Sequence, residues 1–437
     1  MKPIPFFLCS LSILLTARAE PPDKSGDSPP ATLSLSAITE SVLANNPAIK
    51  EARAKWEAMK QRVPQAAAWD DLKISASTRL GRFVDVATNS FTDQTLSVEQ
   101  MIPLSGRNQS RSRIAAAEAL GGLEELRRKE LDVVGKARAA YFRLAKGYAL
   151  LELLRTNTSS LHQTLDITRA KLEVGSQSQT DVLVAENEVT RIEEARRDLL
   201  RGISEDETQI KVLTNRDPFS QLGRPAASGT HSALPPVERL RSLLFSNRPE
   251  VRMAEAGVTA AKAKLELAKR EWIPDPALSI TAQRYNGASQ GISEVSAGIS
   301  FSVPWLNGKK YQAGENEAQR GVEAAERALE GARTEALGML RDQLRKIETF
   351  HHHVELFGER LIPTARQIEQ ANRTNYEGGK TGFLELVLAG RALREVEAMH
   401  RQHQAEYEMA VAELEVLVGA DLHLFSTHKE TSKRKSK

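Results

Sequence analysis

Five of the nine histidines fall in two short windows: His351-His352-His353, followed by Glu355, and His400 with His403. Imidazoles and carboxylates at such spacings are the ligands that hold zinc and related cations. Successive helical residues point about 100° apart, however, so three adjacent histidines on one helix cannot converge on one ion. His351 falls on an apolar seam where an earlier, similar segment carries Tyr148, and packing is its expected role. His352 and His353 are the residues left for a metal contact across a symmetry axis, or else for a solvated face. His400 and His403 also lie in a seam, where a buried polar pair without an acidic partner one turn away is expected. Glu355 and Glu359 stand one turn apart with Arg360 beside them. Repeated by symmetry they would make a carboxylate ring favouring cations; alone they are an ordinary charged face.

No enzyme chemistry is legible. The sequence has no Gly-rich phosphate loop, no His-Glu-x-x-His and no serine elbow, so neither a catalytic residue nor a cofactor is expected. The one cysteine, Cys9, lies in residues 1–19, which read as a secretory signal: Lys2, an apolar run from Phe6 to Leu15, and Ala17-Arg18-Ala19 before the cleavage point. The mature chain then has no thiol, which excludes disulfide and thiol-metal chemistry. The formal charge of +3 comes from 60 Lys and Arg against 57 Asp and Glu, and part of the excess sits in the signal and in the tail from Thr427 to Lys437. Without those two segments the charge is slightly negative, which argues against a nucleic-acid partner.

The elements that position these residues occur twice. Trp69, then Leu72 to Leu80, is answered by Trp272, then Ala277 to Tyr285; Pro103 and Gly106 are answered by Pro304 and Gly308. Val134, Ala137, Tyr141, Leu144, Tyr148 and Leu151 alternate steps of three and four, as do Leu337, Leu340, Leu344, Ile347, His351 and Val354. Between that seam and the next, which runs from Val182 and from Leu386, copy two gains one residue. The resulting division is a signal at 1–19, a linker at 20–34, repeat one at 35–218, a linker at 219–236, repeat two at 237–419 and a basic tail at 420–437.

Each repeat predicts helix, two strands, then two long helices. Asn46-Pro47 and Arg248-Pro249 interrupt the first helix of each copy. Val295, Ala297, Ile299, Phe301 and Val303 alternate with Ser296, Gly298, Ser300 and Ser302, which is the period of a strand with one apolar and one polar face. The strands are about as long as a tilted membrane strand. Four of them cannot close, and an open edge in lipid leaves backbone groups unpaired at several kcal/mol each. Either several chains complete a barrel or the sheet is not in a membrane. The long helices are expected over Ser105 to about Arg155 and Asn307 to about Phe357, with turns near Thr156-Asn157-Thr158 and from Gly358 to Pro363. Each returning helix should then break at Gly175 to Asp181 or at Gly379 to Glu385.

In this order the motifs resemble the TolC-type outer-membrane efflux family. They are Asn46-Pro47, Arg248-Pro249, Gln100-Met-Ile-Pro-Leu-Ser-Gly-Arg107, Ser302-Val-Pro-Trp-Leu-Asn-Gly-Lys309, Leu361-Ile-Pro-Thr-Ala365 and Tyr376-Glu-Gly-Gly-Lys380. Pro103 to Arg107 and Trp272 to Pro276 look most like its heavy-metal branch. The resemblance implies a mainly α fold with a small β part: a homotrimer whose 12 strands form one barrel in outer-membrane lipid, above an α-helical tunnel in the periplasm. It also implies a periplasmic adaptor and an inner-membrane pump of the resistance-nodulation-division or ABC type, with metal cations or drugs as cargo. Leu278, Ile280, Val295, Ile299 and Phe301 would then face lipid, and Arg155, Thr156, Asn157, Glu355, Gly358, Glu359 and Arg360 would form the periplasmic gate or adaptor contact. The competing reading is a periplasmic coiled-coil scaffold whose sheet is covered by protein.

Overall fold

The structure, a computed structural model, describes residues 32–79, 92–226, 234–285 and 289–420. The expected signal with Cys9, most of the first linker, Leu80 and much of the loop after it, part of the second linker and all but one residue of the tail lie outside the described residues.

Copy one runs α1 (Leu35–Asn45), α2 (Pro47–Ala67), β1 (Lys73–Thr78), β2 (Thr92–Met101), α3 (Arg107–Glu173) and α4 (Gln179–Leu213). Copy two runs α5 (Val237–Asn247), α6 (Pro249–Arg270), β3 (Ala277–Tyr285), β4 (Glu294–Ser300), α7 (Gly308–Leu356), α8 (Ile362–Glu377) and α9 (Phe383–Val418). A short 3-10 turn, Pro304–Asn307, precedes α7, and a π-helical turn, Phe357–Leu361, joins α7 to α8.

The two proline motifs do the same work in both copies. The Asn46 side chain caps α2 by accepting from the amides of Ala48 (2.9 Å) and Ile49 (3.3 Å), while its Nδ2 donates to the Leu213 carbonyl at the end of α4 (2.8 Å). Arg248 reaches the Leu417 carbonyl at the end of α9 from the matching place (3.4 Å). Each motif thus starts an inner helix, with Pro at its first position where no amide is needed, and ties it to the returning helix.

The long helices are longer than the sequence suggests. Thr156 to Thr158 is no turn, because α3 is continuous over 67 residues, about 100 Å at 1.5 Å per residue. Within it Thr156 and Thr158 donate their hydroxyls to the carbonyls of Glu152 and Leu154, four residues back, so neither hydroxyl is free to cap a turn. Gly358 to Pro363 is no turn either: the helix passes through the π turn and continues as α8. A π turn absorbs one extra residue, and this is the residue by which copy two exceeds copy one. The chain reverses instead at Gly175 and Gly379, with φ of +73° and +70°. Each glycine closes the same cap: the Gly175 and Ser176 amides return to Leu172 and Lys171, and those of Gly379 and Lys380 to Tyr376 and Asn375. The segments expected to interrupt the returning helices are therefore the hairpin turns themselves.

The core is distributed along the rod. One cluster joins α1 to α4 around Val42, Ala137, Leu144 and Ile210; a second joins α5, α6, α7 and α9 around Leu240, Leu244, Leu340 and Leu414. A third, described below, sits at the turns.

Candidate functional site

The two ends of this rod carry the features that bear on function. At one end the strands form a single antiparallel sheet in the order β1-β2-β3-β4. Ile74 stands opposite Val98, Val98 opposite Ile280 and Ile280 opposite Ala297, while Leu278 stands opposite Ile299 and Ala282 opposite Val295. Directly opposed residues share a face, so these side chains make one apolar surface. Ser75, Ser97, Thr281 and Ser296 line up on the other face. The apolar surface is bare in the single chain: Ile74 is 67% exposed, Ile280 60%, Val295 62% and Ile299 64%. Leu278 and Phe301 are exposed as well, although Phe301 lies just beyond β4. β1 and β4 are the edges.

The helices below repeat this order. The Asn108 side chain donates to the Ala68 carbonyl at the end of α2, placing α3 beside α2; on its other side α3 meets α6. Trp272, just after α6, packs on Tyr311 of α7 with ring centroids 5.5 Å apart. The sequence of neighbours is α2, α3, α6, α7, beneath β1, β2, β3, β4.

The other end is built from the two turns. Leu165, Val182 and Ala185 of copy one are buried with Tyr376, Phe383, Leu386 and Val387 of copy two. The Tyr376 and Phe383 rings meet at a tilt of 58° with centroids 5.6 Å apart, and Lys171 Nζ sits 4.1 Å from the centre of the Tyr376 ring. Burial raises the Tyr376 phenol above its ordinary pKa. Above this cluster, Glu188 of α4 is only 3% exposed. Its carboxylate takes Arg391 and Arg394 of α9, the latter at 3.1 Å, with Arg191 at 4.0 Å. The Arg391 hydrogen bond is the main reason its pKa falls below the usual carboxylate range. A buried acid held by two arginines from another element is a clamp between the hairpins. Sequence reading missed it, although Ser178 to Asp181, a capping box three residues after the Gly175 turn, marks where α4 begins.

The residues chosen from sequence lie elsewhere. Arg155, Thr156 and Asn157 are in the middle of α3, and Gly358, Glu359 and Arg360 are in the π turn; both groups stand roughly 27 Å along the helices from the turns. Glu355 is exposed and lies 3.6 Å from His351. His351 is not a seam residue: its side chain is 55% exposed, with Tyr407 at its flank. His353, one turn before the π turn, faces inward instead. Its ring is 4.7 Å from that of His403, between Phe350 and Phe357. His352 is exposed. His403 does have an acidic partner one turn on, Glu406, at 3.0 Å from its Nδ1. Burial lowers the pKa of His400, which also hydrogen-bonds the Val354 backbone beside the π turn. Among the described residues no three His, Cys, Asp or Glu side chains are grouped so as to hold a metal ion. None of the helices among them is long and apolar enough to cross a membrane.

The family model described as "Outer membrane efflux protein" matches residues 38–216 and 240–420. The probable efflux pump outer membrane protein SepC of Pseudomonas putida is 25% identical over 229 residues, which are 51% of this chain and 46% of that protein. The chain thus spans about half of that relative's length. Nodulation protein T of Rhizobium leguminosarum bv. viciae is 24% identical over 341 residues, 74% of this chain and 68% of that protein. Among solved structures, the outer-membrane channel OprN superposes with a TM-score of 0.75 at 19% identity, covering 89% of this chain and 90% of that one. CusC superposes at 0.77 with 16% identity, covering 90% and 93%. At these identities the superpositions establish a shared fold.

Proposed function

Because the chain belongs to the outer membrane efflux protein family, whose model matches both of its halves, we propose that it is the passive outer-membrane exit duct of a tripartite efflux or type I secretion system. The observation that carries this reading is the four-stranded sheet, apolar on one face, polar on the other and open at both edges. Such a sheet is stable in lipid only when copies close it. Three chains give 12 strands, an even number within the range of bacterial barrels. Leu278, Ile280, Val295, Ile299 and Phe301 then face outer-membrane lipid, the serine and threonine face lines water, and the helices extend into the periplasm. A soluble scaffold has less support, since among the described residues none covers that apolar face.

The adaptor contact and the periplasmic gate belong at the turns, 174–178 and 378–382, rather than at Arg155 to Asn157 or Gly358 to Arg360. Those two groups line the shaft, where Glu355 and Glu359 are candidates for a carboxylate ring. An inner-membrane pump of the resistance-nodulation-division or ABC type supplies the energy, because the chain carries no nucleotide-binding motif. The relatives in this family include a toluene efflux pump component, so small organic compounds are the first cargo to test, with metal cations the other. The test is fractionation of cells making the full chain. Oligomers in the outer-membrane fraction that dissociate only on heating in detergent are expected, together with loss of solvent tolerance on gene deletion. Recovery entirely in the soluble periplasm overturns the duct.

A further inference from the structure

On the apolar face of the sheet, β3 reads Leu278, Ile280, Ala282 and then Arg284. Arg284 stands opposite Gln94, and Gln94 opposite Thr78, so the face ends at its loop margin in a polar row that carries a cation. Arg284 is exposed and has no hydrogen-bond or ion-pair partner among the described residues. The row beneath it is Ala76, Leu96 and Ala282, two small side chains either side of a large one. A hollow of about 410 Å³ takes in residues of both rows, with Gly291 and Ile292 of the loop before β4 beside them. Strand geometry sets the level of the arginine: from Leu278 to Arg284 the chain rises about 20 Å along β3. The exposed Trp69 and Trp305 lie beyond the other end of the strands, next to the helices, where aromatic rings mark a membrane boundary. The apolar band of a barrel is about 25 Å tall, so Arg284 falls at the opposite boundary, where its charge reaches headgroups and its stem lies along hydrocarbon.

Resting on the duct reading above, we infer that Arg284 and Gln94 hold the phosphate of an outer-leaflet glycolipid, with one of its acyl chains in the hollow over Ala76, Leu96 and Ala282. In that reading the helices extend into the periplasm, so the loop margin of the sheet is the outer one. The lipid of that leaflet carries phosphates on an acylated disaccharide. The Arg284 guanidinium offers a phosphate two parallel N–H donors, and the Gln94 amide on the neighbouring strand adds another. Thr78, one strand further, presents its hydroxyl to a sugar. Charge complementarity selects the phosphate, and the hollow in the next row selects a lipid over a free anion.

Lipid binding to the oligomer purified from outer membranes tests this. The oligomer is stripped of lipid in detergent, titrated with bisphosphorylated lipid A or with its dephosphorylated form, and the bound lipid is counted by native mass spectrometry. The wild type should bind the bisphosphorylated lipid at least about tenfold more tightly, as a charge-assisted hydrogen bond requires. Arg284→Gln should remove that preference and Arg284→Lys should restore part of it. Lys73→Gln, which removes a cation from the polar face, should leave it unchanged. Millimolar inorganic phosphate should not displace the lipid; displacement at that level makes this a free-anion site and overturns the inference. If the heat-dissociable oligomer forms but Arg284→Gln keeps the wild-type preference, or the wild type has none, the inferred site is wrong while the duct stands. If wild-type membranes hold no oligomer, the duct reading itself fails.

Discussion

Glu188 shows how one residue can hold two hairpins. Its depressed pKa means that the clamp contributes stability above the ordinary carboxylate range and loses it as the pH falls through the depressed value. His400 acts in the same direction nearer neutrality, since a buried neutral imidazole resists protonation. The protection factors of the amides of 179–190, in which the intrinsic pH dependence of exchange is divided out, should therefore be high at pH 7 and fall as the pH drops below the ordinary carboxylate range. In Glu188→Gln they should already be low at pH 7 and change little with pH, as Arg391 and Arg394 lose their charged partner. Unchanged exchange in that variant would remove the clamp. Asn46 poses a simpler case, because it caps α2 and reaches α4 with the same side chain. Asn46→Ala should cost about 1–2 kcal/mol, read as a lowered thermal midpoint with the oligomer still formed. Gly358 sets a third limit: a β-carbon there would stand 3.3 Å from His400 Nε2. Ala is therefore tolerated by a small ring shift, and larger residues displace His400 from the π turn.

The π turn is the element that separates the two copies. An insertion absorbed in this way leaves the helix before and after it in phase, which keeps Tyr376 and Phe383 facing Leu165 and Val182. Deleting Pro363 should convert 308–377 into one uninterrupted α-helix like α3 and leave the packing at the turns intact. Deleting Ala332 from α7 should rotate everything beyond it by about 100° and expose both turns to protease. Limited proteolysis of the two deletions side by side decides between absorbed and structural insertion. The extra residue was legible in the spacing of the seams, as were the proline motifs and the amphipathic strands, because each is a local pattern. The place of the hairpin turns was not. Thr156, Asn157, Gly358 and Pro363 have the chemistry of turns, yet the helix runs through them, with the Thr156 hydroxyl satisfied inside it and the π turn spanning Gly358. Gly175 and Gly379 were read as breaks in a returning helix; their left-handed caps make them reversals. The clamp at Glu188 lay beyond reach, because its partners are 203 and 206 residues away.

For the whole molecule the decisive property is the difference between the two faces of the sheet. Ile280 sits mid-sheet between Val98 and Ala297 on the apolar face, and Ser296 is on the polar face opposite Thr281. If the apolar face meets lipid, an arginine at Ile280 costs about 2–4 kcal/mol at the bilayer midplane, once in every chain that closes the barrel. The same arginine at Ser296 stands in water. Ile280→Arg should therefore abolish the heat-dissociable oligomer in outer membranes, whereas Ser296→Arg should assemble normally and change only the conductance of the reconstituted duct. A scaffold whose apolar face is covered by protein also rejects Ile280→Arg, but its wild-type chain and Ser296→Arg stay in the soluble periplasmic fraction and form no duct. Equal behaviour of the two variants in quantitative membrane fractionation thus argues against the barrel. Loss of the outer-membrane oligomer in Ile280→Arg alone, with wild type and Ser296→Arg both recovered in the outer membrane, ties the alternation of apolar and small polar residues along β3 and β4 to the bilayer itself.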